Sequence, residues 1–144
     1  MISSRPARDI PALLEYIASR RDEPHNWQRP NDCVSFSLLC VKAQTGRDLL
    51  ADIPVWSSRK EALTIARDLG GLAKAYDREF TRIPVAMAQR GDIAGLPDKA
   101  FGVRFMIVEG KTLVGPGTDR QERLPRSAMV RSWSALLPAG FGDG

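Results

Sequence analysis

Cys33 is the residue of this 144-residue sequence best placed to act as a nucleophile. A cysteine reacts as its thiolate, and the free N–H groups and dipole at a helix start lower the pKa of a thiol there. Asn31 or Asp32 can cap a helix that begins at this point, which puts Cys33 in its first turn. Cys40 falls in the middle of the same helix and is predicted to be a small core residue. For Cys33, both interpretations stay open.

The one histidine of the sequence, His25, is the candidate base. A cysteine hydrolase needs a group that accepts the thiol proton and returns it to the leaving amine. His25 precedes Cys33 in a proline-bounded loop and can serve only if that loop folds back over the thiol; otherwise it is an exposed loop residue. Asp32 and Asp92 are weaker candidates. Asp32 is most simply a helix cap, and Asp92 a turn or strand-entry residue that binds local backbone.

We predict free thiols and no metal or cofactor. Two turns of helix, about 10 Å of rise, separate Cys33 from Cys40, which is too far for a disulfide. A single histidine and the lack of a C-x-x-C pair leave no zinc-ligand pattern. The segment Gly115-Pro116-Gly117 lacks the Lys-Ser/Thr step and the following helix of a phosphate loop.

The charge and hydropathy of the chain narrow the classes of partner. A net charge of +4 permits contact with nucleic acid, but beyond Arg20-Arg21 the cations are scattered, so we expect a solvated basic surface and no specific nucleic acid. No apolar run approaches the roughly 18 residues of a membrane span. Residues 1–9 lack the apolar stretch of a signal peptide. The protein is therefore expected to stay in the cytoplasm unless it leaves inside a larger particle.

The first half of the chain is predicted to be helical. Apolar residues at helical spacing indicate an amphipathic helix over 10–20. The helix that carries Cys33 is apolar around much of its circumference and ends at Thr45-Gly46, so it is predicted to be the central buried helix. A capping box at Ser58 opens a third helix, and a shorter one follows over 72–79.

The second half is predicted to form a small antiparallel sheet. Val85 to Met87 lead into a turn, and strands are expected at 93–96, at 101–108 and, as a hairpin partner, at 112–115. Residues 125–130 are predicted to form one helical turn, and 133–137 close the domain. Helices followed by an antiparallel sheet indicate an α+β fold. We expect a single domain over 1–144, with a core of about 9–137 and a loose tail at 138–144.

Four short motifs, in order, resemble those of a known family. They are Trp27, Asn31-Asp32-Cys33, the helix end Thr45-Gly46, and Arg90-Gly91-Asp92 before a strand. The pattern resembles NlpC-type papain-like cysteine peptidases, and resembles more closely a group of small phage and prophage proteins related to them. The resemblance covers roughly 9–137 and implies a papain-like fold with the nucleophile at Cys33.

The resemblance also implies that the catalytic machinery is incomplete. Active members carry a histidine on the strand after Arg-Gly-Asp, and the matching position here is Phe101. A polar residue that orients the histidine is expected on the next strand, where this chain has Leu113, Val114 and Gly115. Cys33 is therefore interpreted as a vestigial nucleophile, with His25 as the remaining weak candidate base.

Two hypotheses of function follow from the resemblance. The first is a structural or assembly component of a phage tail, at the tail tip, whose partners are other tail-tip or hub proteins and which resides in the virion. The alternative is an active cysteine peptidase or amidase that cleaves peptidoglycan during phage entry. In the first, exposed tryptophans and arginines would anchor the interface. Trp27, Trp56 and Trp133 could also line a sugar-binding groove, or pack in the core.

Overall fold

The computed structural model describes residues 7–139, which form an α+β fold. Of the predicted tail, residues 140–144 lie outside the described residues. The α-helices are α1 (Ile10–Ser19), α2 (Cys33–Thr45), α3 (Arg59–Asp68) and α4 (Leu72–Glu79). The strands are β1 (Arg82–Ile83), β2 (Ile93–Asp98), β3 (Gly102–Val108), β4 (Thr112–Pro116), β5 (Gln121–Pro125) and β6 (Arg131–Trp133). Short 3₁₀ turns occupy Leu50–Asp52, Val85–Met87 and Arg126–Ala128. None of the helices described is long and apolar enough to cross a membrane.

Local sequence signals set the ends of the helices. Asp32 caps α2 because its carboxylate accepts the N–H of Ser35 at 2.8 Å, and α2 ends at Gly46 with φ of 79°. Ser58 caps α3 by accepting the N–H of Glu61 at 3.1 Å. The predicted helices therefore agree with the observed ones to within a residue or two.

The six strands form one antiparallel sheet in the order β1-β6-β2-β3-β4-β5. The central hairpin pairs β2 with β3 from Ile93 opposite Ile107 to Asp98 opposite Gly102. The expected hairpin of β3 with β4 is present, with Ile107 opposite Val114. The sequence did not indicate β1, β5 or β6. β1 and β6 have only two and three residues, and β5 has a single large apolar residue, Leu124, among mostly polar ones, which gives no strand signal.

One face of the sheet, the inner face, packs against the helices and holds the main core. Tyr76 of α4 stacks on Phe105 of β3 at 3.7 Å between ring centroids, and Trp133 of β6 meets both rings edge-on. Phe36 of α2 lies in the same cluster. The predicted position of α2, as a central helix buried on the sheet, is confirmed.

The opposite, outer face of the sheet is covered by turns rather than by helices. Its apolar cluster contains Ala94, Leu96, Met106, Val108 and Leu113 from the strands, with Ala88 and Met129 from the loops above them. The 3₁₀ turns at Val85–Met87 and Arg126–Ala128 lie in those loops. The sheet therefore has a thin second layer made of irregular chain.

Candidate functional site

Cys33 is the first residue of α2, as the sequence predicts. The preceding residue, Asp32, is buried, and its second carboxylate oxygen accepts the hydroxyl of Ser35 at 2.7 Å. Both oxygens of Asp32 are thus engaged in the helix cap. The structure therefore gives Asp32 a structural role, in which neither carboxylate oxygen is directed at a proton of Cys33.

The surroundings of Cys33 favour the protonated form of its thiol. Burial raises its pKa to about 11, and the Asp32 carboxylate acts in the same direction. The backbone N–H of Phe105 and the charge of Arg104 lower the pKa but do not compensate for burial. The expectation that the helix start would favour the thiolate is therefore wrong here, because desolvation outweighs the helix N-terminus.

Cys33 lies at a pocket of about 200 Å³ between the start of α2 and the sheet. Its walls are largely aromatic, with Trp27, Trp56 and Phe101. Charged residues that the sequence did not single out also line it: Arg59, Asp98 and Arg104. No local motif marked these three, since they come from α3, β2 and β3, which meet only in the fold.

Phe101, the position matched to the family's histidine, faces this pocket together with Cys33. Its ring stacks on Trp27 with centroids 5.4 Å apart. Its backbone N–H donates to the Asp98 carboxylate at 2.8 Å, which fixes the turn that leads into β3. A phenyl ring can neither accept nor return a proton, so Phe101 supplies no base.

On the next strand, β4, the three positions where the resemblance predicts an orienting residue have no polar side chain. Leu113 belongs to the outer cluster and Val114 to the inner core, and both are fully buried. Gly115 faces Met106, whose side chain would lie 3.2 Å from a Cβ at that position. Leu113, Val114 and Gly115 are thus occupied by core packing.

His25 lines the same pocket as Cys33. Both residues belong to the described part of the chain, and no hydrogen bond joins their side chains. Its ring meets Trp27 edge-on at 4.8 Å, and its backbone N–H donates to the Gly117 carbonyl at 2.7 Å. Burial lowers the pKa of His25. The interpretation of His25 as an exposed loop residue is therefore wrong, because the loop folds over the sheet edge and half-buries the ring.

Asp92 is a buried structural centre rather than a general base. It accepts the backbone N–H groups of Gln89 at 2.8 Å and Ala135 at 3.0 Å, and it pairs with Arg8 at 3.1 Å. The preceding Gly91 has φ of 98°, and its carbonyl accepts a hydrogen bond from Gln44 of α2. The Arg-Gly-Asp step therefore joins the chain before α1, the end of α2 and the chain after β6.

The remaining predicted residues lie mostly in the core. Cys40 is fully buried in α2, as expected. Trp133 is buried in the core and its indole donates to Asp77 at 2.8 Å, so it cannot serve as an exposed anchor. Trp56 is also buried, but its side chain forms part of the wall of the pocket at Cys33. Trp27 alone of the three is partly exposed. Within the part of the chain that the structure describes, no group of His, Cys, Asp and Glu could hold a metal ion.

Comparison with solved structures identifies the fold. The chain is similar to the crystal structure of the NlpC/p60 domain of the peptidoglycan hydrolase SagA, with a TM-score of 0.54 and 20% identity, over 88% of this chain and 98% of that domain. The fold is therefore the papain-like α+β fold of NlpC type, as predicted. The family described as a domain of unknown function, DUF6950, matches residues 6–135, and the chain belongs to it. No curated protein matches the sequence.

Proposed function

We propose that this protein is a catalytically inactive NlpC/p60-like domain that serves as a structural or assembly component of a phage tail, at the tail tip. The observation that carries the inactive part is Phe101, which faces the thiol pocket from the position matched to the histidine. The tail part is supported by the order of the four sequence motifs. In this proposal the protein is made in the host cytoplasm, joins other tail-tip or hub proteins and resides in the virion.

Two electrostatic features support the loss of catalysis. A cysteine peptidase works through a thiolate that a neighbouring imidazole has deprotonated. Here the pKa of Cys33 is raised to about 11, and the pKa of His25 is lowered. Both shifts favour the neutral forms, so the thiolate–imidazolium pair is disfavoured from both sides.

The inactive part is tested with purified peptidoglycan sacculi. We expect the wild-type protein to release no more soluble fragments than Cys33→Ala does. A hydrolase that is active on the same sacculi serves as the positive control. Release by the wild type that Cys33→Ala abolishes would contradict the proposal.

The tail part is tested on purified particles. We expect mass spectrometry to detect the protein in particles released from cells that carry its gene. Abundant cytoplasmic proteins of the same cells, which should be depleted, provide the control for carry-over. Its absence from the particles would refute the tail assignment but would leave the loss of catalysis untouched.

A second candidate function, an active cysteine peptidase or amidase acting on peptidoglycan, is favoured by one observation: His25 and Cys33 line one pocket. It requires the loop that carries His25 to move the ring into hydrogen-bond reach of the thiol. If this function were correct, His25→Ala and Cys33→Ala would each abolish fragment release. Loss in only one of the two variants would exclude a dyad of these residues.

A further inference from the structure

Three large apolar side chains are exposed on the outer side of the sheet, away from the pocket of Cys33. Val85 is 37% exposed, Met87 is 68% exposed and Val130 is 57% exposed. We call these three residues the outer patch. The other exposed large apolar residues in the described part of the chain are Leu14 and Val55, which lie on other elements.

The two loops that carry the outer patch pack against each other. Arg126, in the second loop, donates hydrogen bonds to the carbonyls of Val85 and Ala88 in the first. The neighbours of the patch in sequence, Ala88 and Met129, are buried in one and the same outer cluster. The patch therefore forms the exposed top of a packed apolar layer.

The backbone that presents the patch is held by hydrogen bonds. Arg126 donates to the carbonyls of Ala88 at 2.8 Å and Val85 at 3.4 Å, which ties the two covering turns together. It also donates to the carbonyl of Gly110 at 3.2 Å. Val130 donates its backbone N–H to the carbonyl of Gly95 in β2 at 2.9 Å. A partner would meet a preorganised surface, which reduces the entropy lost on binding.

The surroundings of the patch are positively charged. The segments 84–91 and 125–131 contain three arginines and no aspartate or glutamate. Within the described residues, Arg126 donates to backbone carbonyls, and Arg90 donates to the backbone carbonyl of Glu109 at 2.7 Å. The carboxylate of Glu109 is itself paired with Arg123. Among the residues that the structure describes, neither Arg90 nor Arg126 forms a salt bridge with a carboxylate, although the charge of Arg90 acts on Glu109 and helps to lower its pKa.

We propose that the outer patch, flanked by Arg90 and Arg126, docks an acidic segment of a partner protein whose apolar side chains cover Val85, Met87 and Val130. An apolar centre with cations at its rim is complementary in charge to apolar residues interspersed with carboxylates. Neither covering segment has an aromatic residue to stack on bases or to anchor in a lipid interface. The proposal goes beyond the loss of catalysis and does not depend on whether Cys33 reacts.

The test uses the full-length protein and a short synthetic peptide that alternates Glu and Leu. We expect the peptide to bind and to shift the backbone amide NMR signals of residues 85–88 and 129–131. Met87→Glu combined with Val130→Glu should weaken binding at least about tenfold, since it removes two apolar contacts and adds charge that repels the peptide. The matched control is Val55→Glu, which alters a valine that is 71% exposed on another part of the surface and should leave binding unchanged.

Every other outcome of this experiment counts against the proposal. Equal binding by the double variant, or no binding by the wild type, overturns it. Binding of anionic phospholipid vesicles or duplex DNA in place of the peptide would assign the surface to another class of partner. Concentration-dependent dimerisation that the double variant abolishes would make the patch a contact between two copies of this chain. Thermal melts that match the wild type exclude misfolding of the variants as the cause.

Discussion

At the scale of single residues, the chemistry at Cys33 is decided by what surrounds it. A helix N-terminus alone stabilises a nearby anion by about 0.3–1 kcal/mol when exposed. Burial costs a charged group more than that, and the neighbouring Asp32 adds repulsion. Cys33 thus lies at the helix start, where a nucleophile would be expected, while the surrounding pocket favours the neutral form of its thiol.

The raised pKa of Cys33 predicts slow alkylation at neutral pH. Iodoacetamide should modify Cys33 of the folded protein slowly at pH 7, with a rate that rises toward the pKa of about 11. Peptide mass spectrometry separates Cys33 from the fully buried Cys40. The unfolded protein, whose thiols titrate near their ordinary pKa, is the reference for full reactivity. An inflection of the folded-state rate below pH 8 would show that the thiolate is stabilised after all.

The same shift predicts a loss of stability in alkali. Since the pKa of Cys33 is higher in the folded state than its ordinary value of 9.0, the unfolded chain releases this proton first as the pH rises. The contribution to stability is therefore complete below about pH 9 and declines between about pH 9 and pH 11. Urea titrations should show a smaller alkaline decline in Cys33→Ser, which has no thiol at this position. An identical decline in both proteins would contradict the assignment.

At the scale of elements, the packing of β2 against β6 depends on a missing side chain. A Cβ at Gly95 would lie 2.9 Å from the Trp133 ring and 3.1 Å from Val103. Gly95 is thus needed because two large residues already fill the inner face at that point. The sequence pattern marks β2 as a strand but gives no reason for this glycine.

We predict that Gly95→Ala lowers the free energy of unfolding by roughly 1–3 kcal/mol, the usual cost of overpacking a core. The displaced indole should also change its fluorescence emission. Gly46→Ala provides a contrast, since no atom lies within 4 Å of its Cβ and any cost there comes from its φ of 79°. Gly95→Ala with wild-type stability and emission would argue against the close approach of Trp133.

At the scale of the whole molecule, the Arg-Gly-Asp step joins distant parts of the chain. Asp92 connects to Arg8 before α1 and to Ala135 after β6, and Gly91 connects to Gln44 of α2. The side chains of the Arg8–Asp92 pair are only 11% and 3% exposed. This pair therefore differs from the exposed ion pairs of the surface.

Asp92→Ala should lower the free energy of unfolding by about 3 kcal/mol or more, because it strands a buried guanidinium and two backbone N–H groups. The matched control is Asp48→Ala, which breaks the exposed pair with Lys42 and should cost about 0–1 kcal/mol. Chemical denaturation measures both. Similar losses in the free energy of unfolding for the two variants would show that the Asp92 junction stabilises the protein no more than an exposed ion pair does.

The sequence by itself determined the helices, the hairpin of β3 with β4 and the place of Cys33, because caps, periodicity and turn residues act over a few neighbours. It also indicated that the position matched to the family's histidine holds no base, because the identity of Phe101 is read directly from the sequence. Tertiary structure alone decided the rest. It brought Arg59, Asp98 and Arg104 to the thiol pocket, buried Trp56 and Trp133, and half-buried His25. It also reversed the expected effect on the Cys33 pKa, since desolvation depends on every element packed around the sulfur and not on the local helix start.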